Sequence, residues 1–239
     1  VEMAFGEIIT NISSVYIGDV SKIKLSANWM ANSSEKKELF NLYQAVERLS
    51  QICKESNIVI PVGKDSLSMS TKWGKKYSYE VKSPLSLILS AFASINDVDK
   101  YVTPYTNKKS QLFLVDLGRG KDRMGGSGLD QTLSYTNHKA PNINKLDDLL
   151  NYFEFTQELV RKNLLNAYHD RSDGGLITTL MEMAFVSNMS VDLKNVSSKS
   201  KIELIRFLFN EELGGVFAID RKYQKEFIKL TQKYNLETT

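Results

Sequence analysis

Nine residues, Tyr168-His169-Asp170-Arg171-Ser172-Asp173-Gly174-Gly175-Leu176, constrain this chain more than any other stretch. They crowd two carboxylates, a hydroxyl, a histidine and a diglycine into one turn. The apolar run that follows, residues 176–186, reads as a helix. Two adjacent glycines let backbone approach a bound group closely and take up dihedrals that other residues resist. A helix starting there aims free backbone N–H groups, and the positive end of its dipole, at an anion such as a phosphate. Asp170 and Asp173 are hard oxygen ligands of the kind that hold magnesium on phosphates. Taken alone, the stretch reads first as an Asp/Ser N-cap in front of a helix.

With 239 residues and 42% apolar content, the chain has material for one large or two modest domains with true cores. A net charge of +3 with no basic run interleaved with aromatics does not point to nucleic acid. No apolar stretch approaches the roughly 20 residues of a membrane helix, and no signal peptide or lipidation signal is visible. The single cysteine, Cys53, excludes a disulfide framework and a paired-cysteine metal site, and it fits a cytoplasmic location. The chain begins at Val1 and opens directly into helical-looking sequence, as a fragment of a longer protein would.

Residues 1–14 read as the later part of a helix, on which Glu7 and Asn11 stand four apart and share a face. Spacing alone favours a solvated polar face there. Residues 22–27 alternate as a strand. Residues 36–56 form the clearest helix, with Leu39, Leu42, Tyr43, Val46, Leu49, Ile52 and Cys53 on one apolar stripe. Cys53 on that stripe is a small buried hydrophobe.

A short strand over 58–62 leads to Gly63-Lys64-Asp65-Ser66. The phosphate-loop pattern fails here, because it needs Gly where Ile58 stands and Ser or Thr where Asp65 stands. What remains is a polar turn that either contacts a phosphorylated ligand or is only a turn. Residues 67–73 alternate as a half-buried strand, turn at Gly74, and return over 77–82; residues 85–93 form a further strand.

A polar segment, 103–110, marks a domain boundary, giving domains 1–106 and 107–239. The second opens with a strand over 111–117 and a glycine-rich loop over 118–128 that lacks the dinucleotide spacing. A helix over 147–165, a short strand over 190–194, a helix over 201–209, a strand over 216–219 and a helix over 223–234 complete it. Mixed strands and helices with hairpins indicate an α+β fold of mixed α/β layers.

Several stretches together carry a resemblance. They are Glu7-Ile8-Ile9-Thr10-Asn11, Ile23-Lys24-Leu25-Ser26-Ala27-Asn28-Trp29-Met30, Ile60-Pro61-Val62-Gly63-Lys64-Asp65-Ser66, Arg123-Met124-Gly125-Gly126-Ser127, His169-Asp170-Arg171-Ser172-Asp173-Gly174-Gly175 and Asn210-Glu211-Glu212-Leu213-Gly214. In that combination the chain resembles the large, single-chain phosphoribosylformylglycinamidine synthases of purine biosynthesis, in register over nearly its whole length.

The resemblance implies a two-domain architecture like aminoimidazole ribonucleotide synthetase, matching most of the second of two similar halves, with the first domain incomplete. It implies Mg2+ and ATP or ADP as cofactors, with Glu7, Asn11 and Asp170 as metal ligands and Ser172 at the nucleotide. A further metal-binding Asp would lie upstream of Val1. Lys64, Asp65, Ser66 and His169 are candidate phosphate or substrate contacts, with support of the loop the alternative for His169, and no catalytic residue is assigned.

The implied enzyme is an ATP-dependent C–N ligase that phosphorylates an amide oxygen of formylglycinamide ribonucleotide and displaces the phosphate with glutamine-derived ammonia. Its implied partners are the first synthetase half and the glutaminase domain of the same polypeptide, and small-molecule nucleotide substrates; this piece alone would be inactive. Two alternatives accompany it: a non-catalytic module whose bound Mg-ADP is a structural staple, and another ATP-using member of the superfamily, such as a selenophosphate or thiamine-monophosphate enzyme.

Overall fold

A computed structural model describes residues 1–106, 108–193, 196 and 199–239. The chain forms two compact units, one of residues 1–8 and 19–94, the other of residues 9–18 and 95–239. The mixed α/β architecture expected from the sequence is present in each.

In the first unit, β1 (Lys24–Met30) lies between β2 (Val59–Ser66), parallel to it, and β5 (Ser86–Phe92), antiparallel. The helix α2 (Lys36–Ser56) connects β1 to β2, as a parallel pair requires. It ends at Asn57, which adopts the left-handed conformation (φ 56°) and donates its N–H to the carbonyls of Cys53 and Lys54. Phe5, Ile23, Leu25, Ala27, Leu49, Ile52, Cys53 and Ile58 make the core. Burial raises the Cys53 thiol pKa, as befits a buried small hydrophobe.

Three sequence expectations change here. The α2 stripe is buried only at its C-terminal end; Leu39, Tyr43 and Val46 are exposed by 43%, 65% and 44%. Amphipathic spacing identifies an apolar face without showing what covers it. Strand β3 begins only at Ser70 (Ser70–Trp73) and is exposed throughout, pairing with β4 (Tyr79–Lys82) in a hairpin of two strands, where Trp73 stacks on its cross-strand partner Tyr79. Gly63 to Ser66 is not a turn; the pairing of β2 with β1 continues through Ser66.

The second unit is built on an antiparallel sheet of order β6-β8-β7, formed by Gln111–Asp116, Gly214–Ile219 and Leu165–Asp170. Strand alternation sends Phe113, Phe217 and Tyr168 to one face and Leu114, Val216, Ala218 and Ala167 to the other. The aromatic face packs on α4 (Leu146–Arg161) and α7 (Gln224–Lys233), with Phe155, Phe217 and Phe227 in edge and tilted contacts at 5.4–5.9 Å. The aliphatic face packs on α5 (Gly175–Ser187) and α6 (Lys201–Phe209) through Leu176, Leu180, Met183, Phe207 and Leu208. A short helix, α3 (Gly128–Thr132), follows the glycine-rich loop. Residues 190–193 form no strand, and Lys194, the last residue of the strand expected there, lies outside the described residues.

Helix α1 (Glu2–Ile12) spans residues of both units. After its end, residues 13–18 are held by a single side chain. Gln157, buried on α4, accepts from the N–H groups of Ile17 (2.6 Å) and Gly18 (2.8 Å) and donates to the carbonyls of Ser13 (3.1 Å) and Val15 (2.9 Å). All four hydrogen-bonding positions of the amide are filled by backbone. Leucine at this position leaves those backbone groups without partners, each costing about 1–3 kcal/mol where water is excluded. Gln157→Leu is expected to lower unfolding free energy by about 3 kcal/mol or more, measured by denaturant titration.

Glu158, the next residue on α4, receives Lys233 (2.8 Å), Lys162 (2.9 Å) and the Tyr234 hydroxyl (2.9 Å). These donors, Lys233 foremost, lower its pKa from 4.5 to about 2. Because the folded value is depressed, this stabilisation is fully present above pH 4.5 and is lost as pH falls toward 2. The expected result is that Glu158→Gln lowers the melting temperature at pH 7 and converges on wild type near pH 2.

Candidate functional site

The site is assembled at one end of β7. Alternation along Tyr168-His169-Asp170 puts Tyr168 and Asp170 on one face and His169 on the other. Asp170 is thus the last residue of a strand, rather than part of the turn as the sequence suggested. His169 faces α5, where its Nε2 lies 2.8 Å from Glu182. The neighbouring Asp170 carboxylate, followed by Glu182, raises the imidazole pKa. Its Nδ1 is buried without a hydrogen bond and lies 3.5 Å from Asp170 Oδ1.

On the other face, Asp170 meets Asn11, from the last turn of α1. The Asn11 amide donates to Oδ1 at 3.3 Å and to Oδ2 at 3.5 Å. Both bonds are long, yet Asp170 is only 6% exposed. A carboxylate so buried and so weakly bonded is a receptive position for a cation.

Glu7 stands one turn before Asn11 on α1, is exposed and belongs to the first unit. Among the described residues, no group of three or more His, Cys, Asp or Glu side chains is arranged to hold a metal ion. The donor set of the second unit is therefore one carboxylate and one amide. That suits a hard cation completing its shell with water and phosphate oxygens, and Mg2+ behaves in this way.

The turn after Asp170 is fixed from within. Gly174 (φ +82°) and Gly175 (φ +73°) take dihedrals that side chains oppose, and a Cβ on Gly175 would lie 2.6 Å from the Asn210 carbonyl oxygen. Ser172, half-buried, accepts the Gly175 N–H through its carbonyl at 3.0 Å; Asp173 is exposed. The Gly174 N–H does not await an external anion, because it donates to Glu211 Oε1 at 2.8 Å. The same oxygen accepts the Gly128 N–H at 2.8 Å. One carboxylate therefore fastens the diglycine turn and the start of α3 together.

Its neighbours extend the clamp. Glu212, 1% exposed, takes the Arg123 backbone N–H (3.1 Å) and guanidinium (both 2.6 Å). Asn210 donates to Asp122 at 3.0 Å; burial first, then nearby Asp116, raises the Asp122 pKa. Arg171, almost fully buried, donates to the carbonyls of Glu212 and Leu213 and to Asp116. These roles escaped sequence reasoning. The available signal was a pair of carboxylates, Glu211-Glu212, set one residue before Gly214-Gly215, where a buried strand begins.

Lys64, Asp65 and Ser66 lie in the first unit, at the end of β2. Lys64 Nζ donates to Ser66 Oγ at 2.9 Å in an exposed pair, and Asp65 is paired in register with Trp29.

A helix-covered α/β sheet carrying this strand-end aspartate and diglycine turn places the chain in the AIR synthase class of folds. Residues 117–239, more than half of the chain, match the family described as AIR synthase related protein, C-terminal domain, and the chain belongs to that family. Residues 1–94 match the FGAR-AT PurM_N-like domain.

Among solved structures, PurL of T. maritima complexed with ATP is similar at 15% identity and TM-score 0.63, over 99% of this chain and 36% of that one. The hydrogenase maturation protein HypE of E. coli is similar at 13% identity and TM-score 0.64, over 97% of this chain and 68% of that one. These likenesses show the fold, and the chain spans about a third of the length of the PurL it matches. Among the described residues, no helix is long and apolar enough to cross a membrane.

Gly175→Ala is expected to destabilise the second unit by about 2 kcal/mol or more, since the new Cβ is opposed by both the dihedral and the Asn210 carbonyl. Thermal unfolding checks this; an unchanged melting temperature would contradict the packing described.

Proposed function

We propose that this chain is part of an ATP-using synthetase of purine biosynthesis that amidates formylglycinamide ribonucleotide, and that its second unit holds a magnesium nucleotide at Asn11 and Asp170. The carrying observation is the meeting of those two side chains, 159 positions apart in sequence, beside a diglycine turn. Support for the nucleotide comes from the similar PurL, which was captured with ATP. Support for the synthetase type comes from the match of residues 1–94 to the FGAR-AT domain.

In this reading Asp170 and Asn11 supply oxygen ligands to Mg2+, with Glu7 contributing from the preceding turn of α1. The ion, when bound, neutralises phosphate charge. Ser172 presents its hydroxyl at the nucleotide, while Lys64, Asp65, Ser66 and His169 stand as phosphate or substrate contacts. The rest of the polypeptide, a first synthetase half and a glutaminase domain, would deliver ammonia to the activated amide.

One observation favours a second reading, in which the nucleotide is a permanent staple. Arg171, the cation next to Asp170 in sequence, commits its guanidinium to two carbonyls and Asp116 instead of leaving it for a transferring phosphoryl group. A nucleotide bound only by the folded state stabilises it by mass action.

Asp170→Asn in the intact polypeptide separates the two. Both readings expect ADP affinity in Mg2+, measured by calorimetry, to fall about tenfold or more. Loss of turnover with formylglycinamide ribonucleotide, ATP and glutamine supports catalysis at this site. Preserved turnover with a lowered melting temperature supports the staple. Wild-type protein that binds no ADP in Mg2+ would overturn both.

A further inference from the structure

We propose that Tyr168 is a positioning residue whose hydroxyl holds the last turn of α1 in the register that brings Asn11 to Asp170. Where that pair binds a metal–nucleotide, the inference rests on the functional reading above; the tether itself does not.

Tyr168 and Asp170 lie two residues apart on β7 and so point to the same face of the sheet. Their partners on α1 are adjacent residues, Thr10 and Asn11. The Tyr168 hydroxyl, fully buried, donates to the Thr10 carbonyl at 2.5 Å. This carbonyl belongs to the last turn of α1. The Tyr168 oxygen also lies 2.8 Å from the Tyr152 hydroxyl. Since the Tyr168 proton is committed to Thr10, Tyr152 must be the donor to Tyr168. A directed chain results, from Tyr152 to Tyr168 to the Thr10 carbonyl.

Space for this chain is provided by Gly215, the residue opposite Asp170 in the β7–β8 register. A Cβ on Gly215 would lie 2.3 Å from the Tyr152 hydroxyl oxygen. Past Thr10, the backbone is carried along the unit by two further bonds, Tyr16 N–H to the Lys100 carbonyl and Val102 N–H to the Ser14 carbonyl, both 2.8 Å. With Gln157 gripping residues 13–18, the hydroxyl chain is a side-chain tether on the residue next to Asn11. The long Asn11–Asp170 bonds are too weak to hold the helix end themselves, and the Thr10 tether lies one residue from Asn11, where it bears most directly on that side chain.

Tyr168→Phe removes the hydroxyl and keeps the ring against Phe217. Tyr152→Phe removes only the second donor and leaves the bond to Thr10. Gly215→Ala displaces the Tyr152 hydroxyl and also presses on the edge of the Tyr168 ring, 3.0 Å from the new Cβ. All three are made in the intact polypeptide.

Amide hydrogen exchange without ligand is the first measurement. Peptides covering residues 10–15 should exchange faster in Tyr168→Phe than in Tyr152→Phe, with Gly215→Ala between wild type and Tyr168→Phe. Unchanged exchange in Tyr168→Phe overturns the tether.

The second measurement is the Mg2+ concentration giving half-maximal ADP binding. Tyr168→Phe should raise it about tenfold, as losing support behind a metal ligand does, and more than Tyr152→Phe does. A purely structural role would lower the melting temperature and leave this midpoint in place, which would overturn the positioning role while sparing the nucleotide reading. Wild-type protein that binds no ADP at any Mg2+ concentration overturns the nucleotide reading instead, and exchange alone then decides the tether.

Discussion

The second unit depends on satisfying the backbone of a segment that is remote in sequence from the rest of it. Residues 9–18 join a body otherwise made of residues 95–239. Just past a helix end, such a segment carries N–H and carbonyl groups with no secondary-structure partner, and burying them unpaired is prohibitive. The fold meets this demand with side chains: the Gln157 amide takes four such groups and the Tyr168 hydroxyl a fifth. Once these are in place, Asn11 has little freedom, and its approach to Asp170 follows from the geometry of its neighbours.

The same device recurs at the glycine loops. Glu211 joins Gly128 to Gly174 through one oxygen, and Glu212 ties down Arg123. Both loops are rich in glycine and so lose much conformational entropy on folding. Charge-assisted hydrogen bonds are strong enough to oppose that loss. This also changes what the start of α5 offers. Its dipole is already partly answered by an internal carboxylate, which leaves less of it for an external anion.

The features legible in sequence were those with local causes. Helix α6 begins with a capping box between Ser200 and Glu203, and α2 ends in a left-handed Asn57; both helices lie where periodicity put them. Two strands of the second unit's sheet, β6 and β8, were foreshadowed by short apolar runs; β7 was not, its residues having read as a helix end and a turn. By contrast, the α2 stripe overstated burial at Leu39, Tyr43 and Val46, because periodicity is silent about the partner surface. The turn expected at Gly63 to Ser66 proved to be strand, since pairing with β1 supplies a partner for each residue from Val62 through Ser66 and outweighs local polarity.

Site residues divide along the same line. Asp170 stood out because it adjoins a diglycine, a local signal. Asn11 carried no comparable mark; its pairing came from the family resemblance, since four-residue spacing from Glu7 fits any exposed helical face equally well. The roles of Gln157, Tyr168 and Glu211 were not legible. Each depends on long-range bonds to backbone, and backbone has no residue identity for a pattern to detect. The geometry around Asp170 therefore rests on residues whose chemistry is unremarkable in sequence and decisive only once the chain has folded around them.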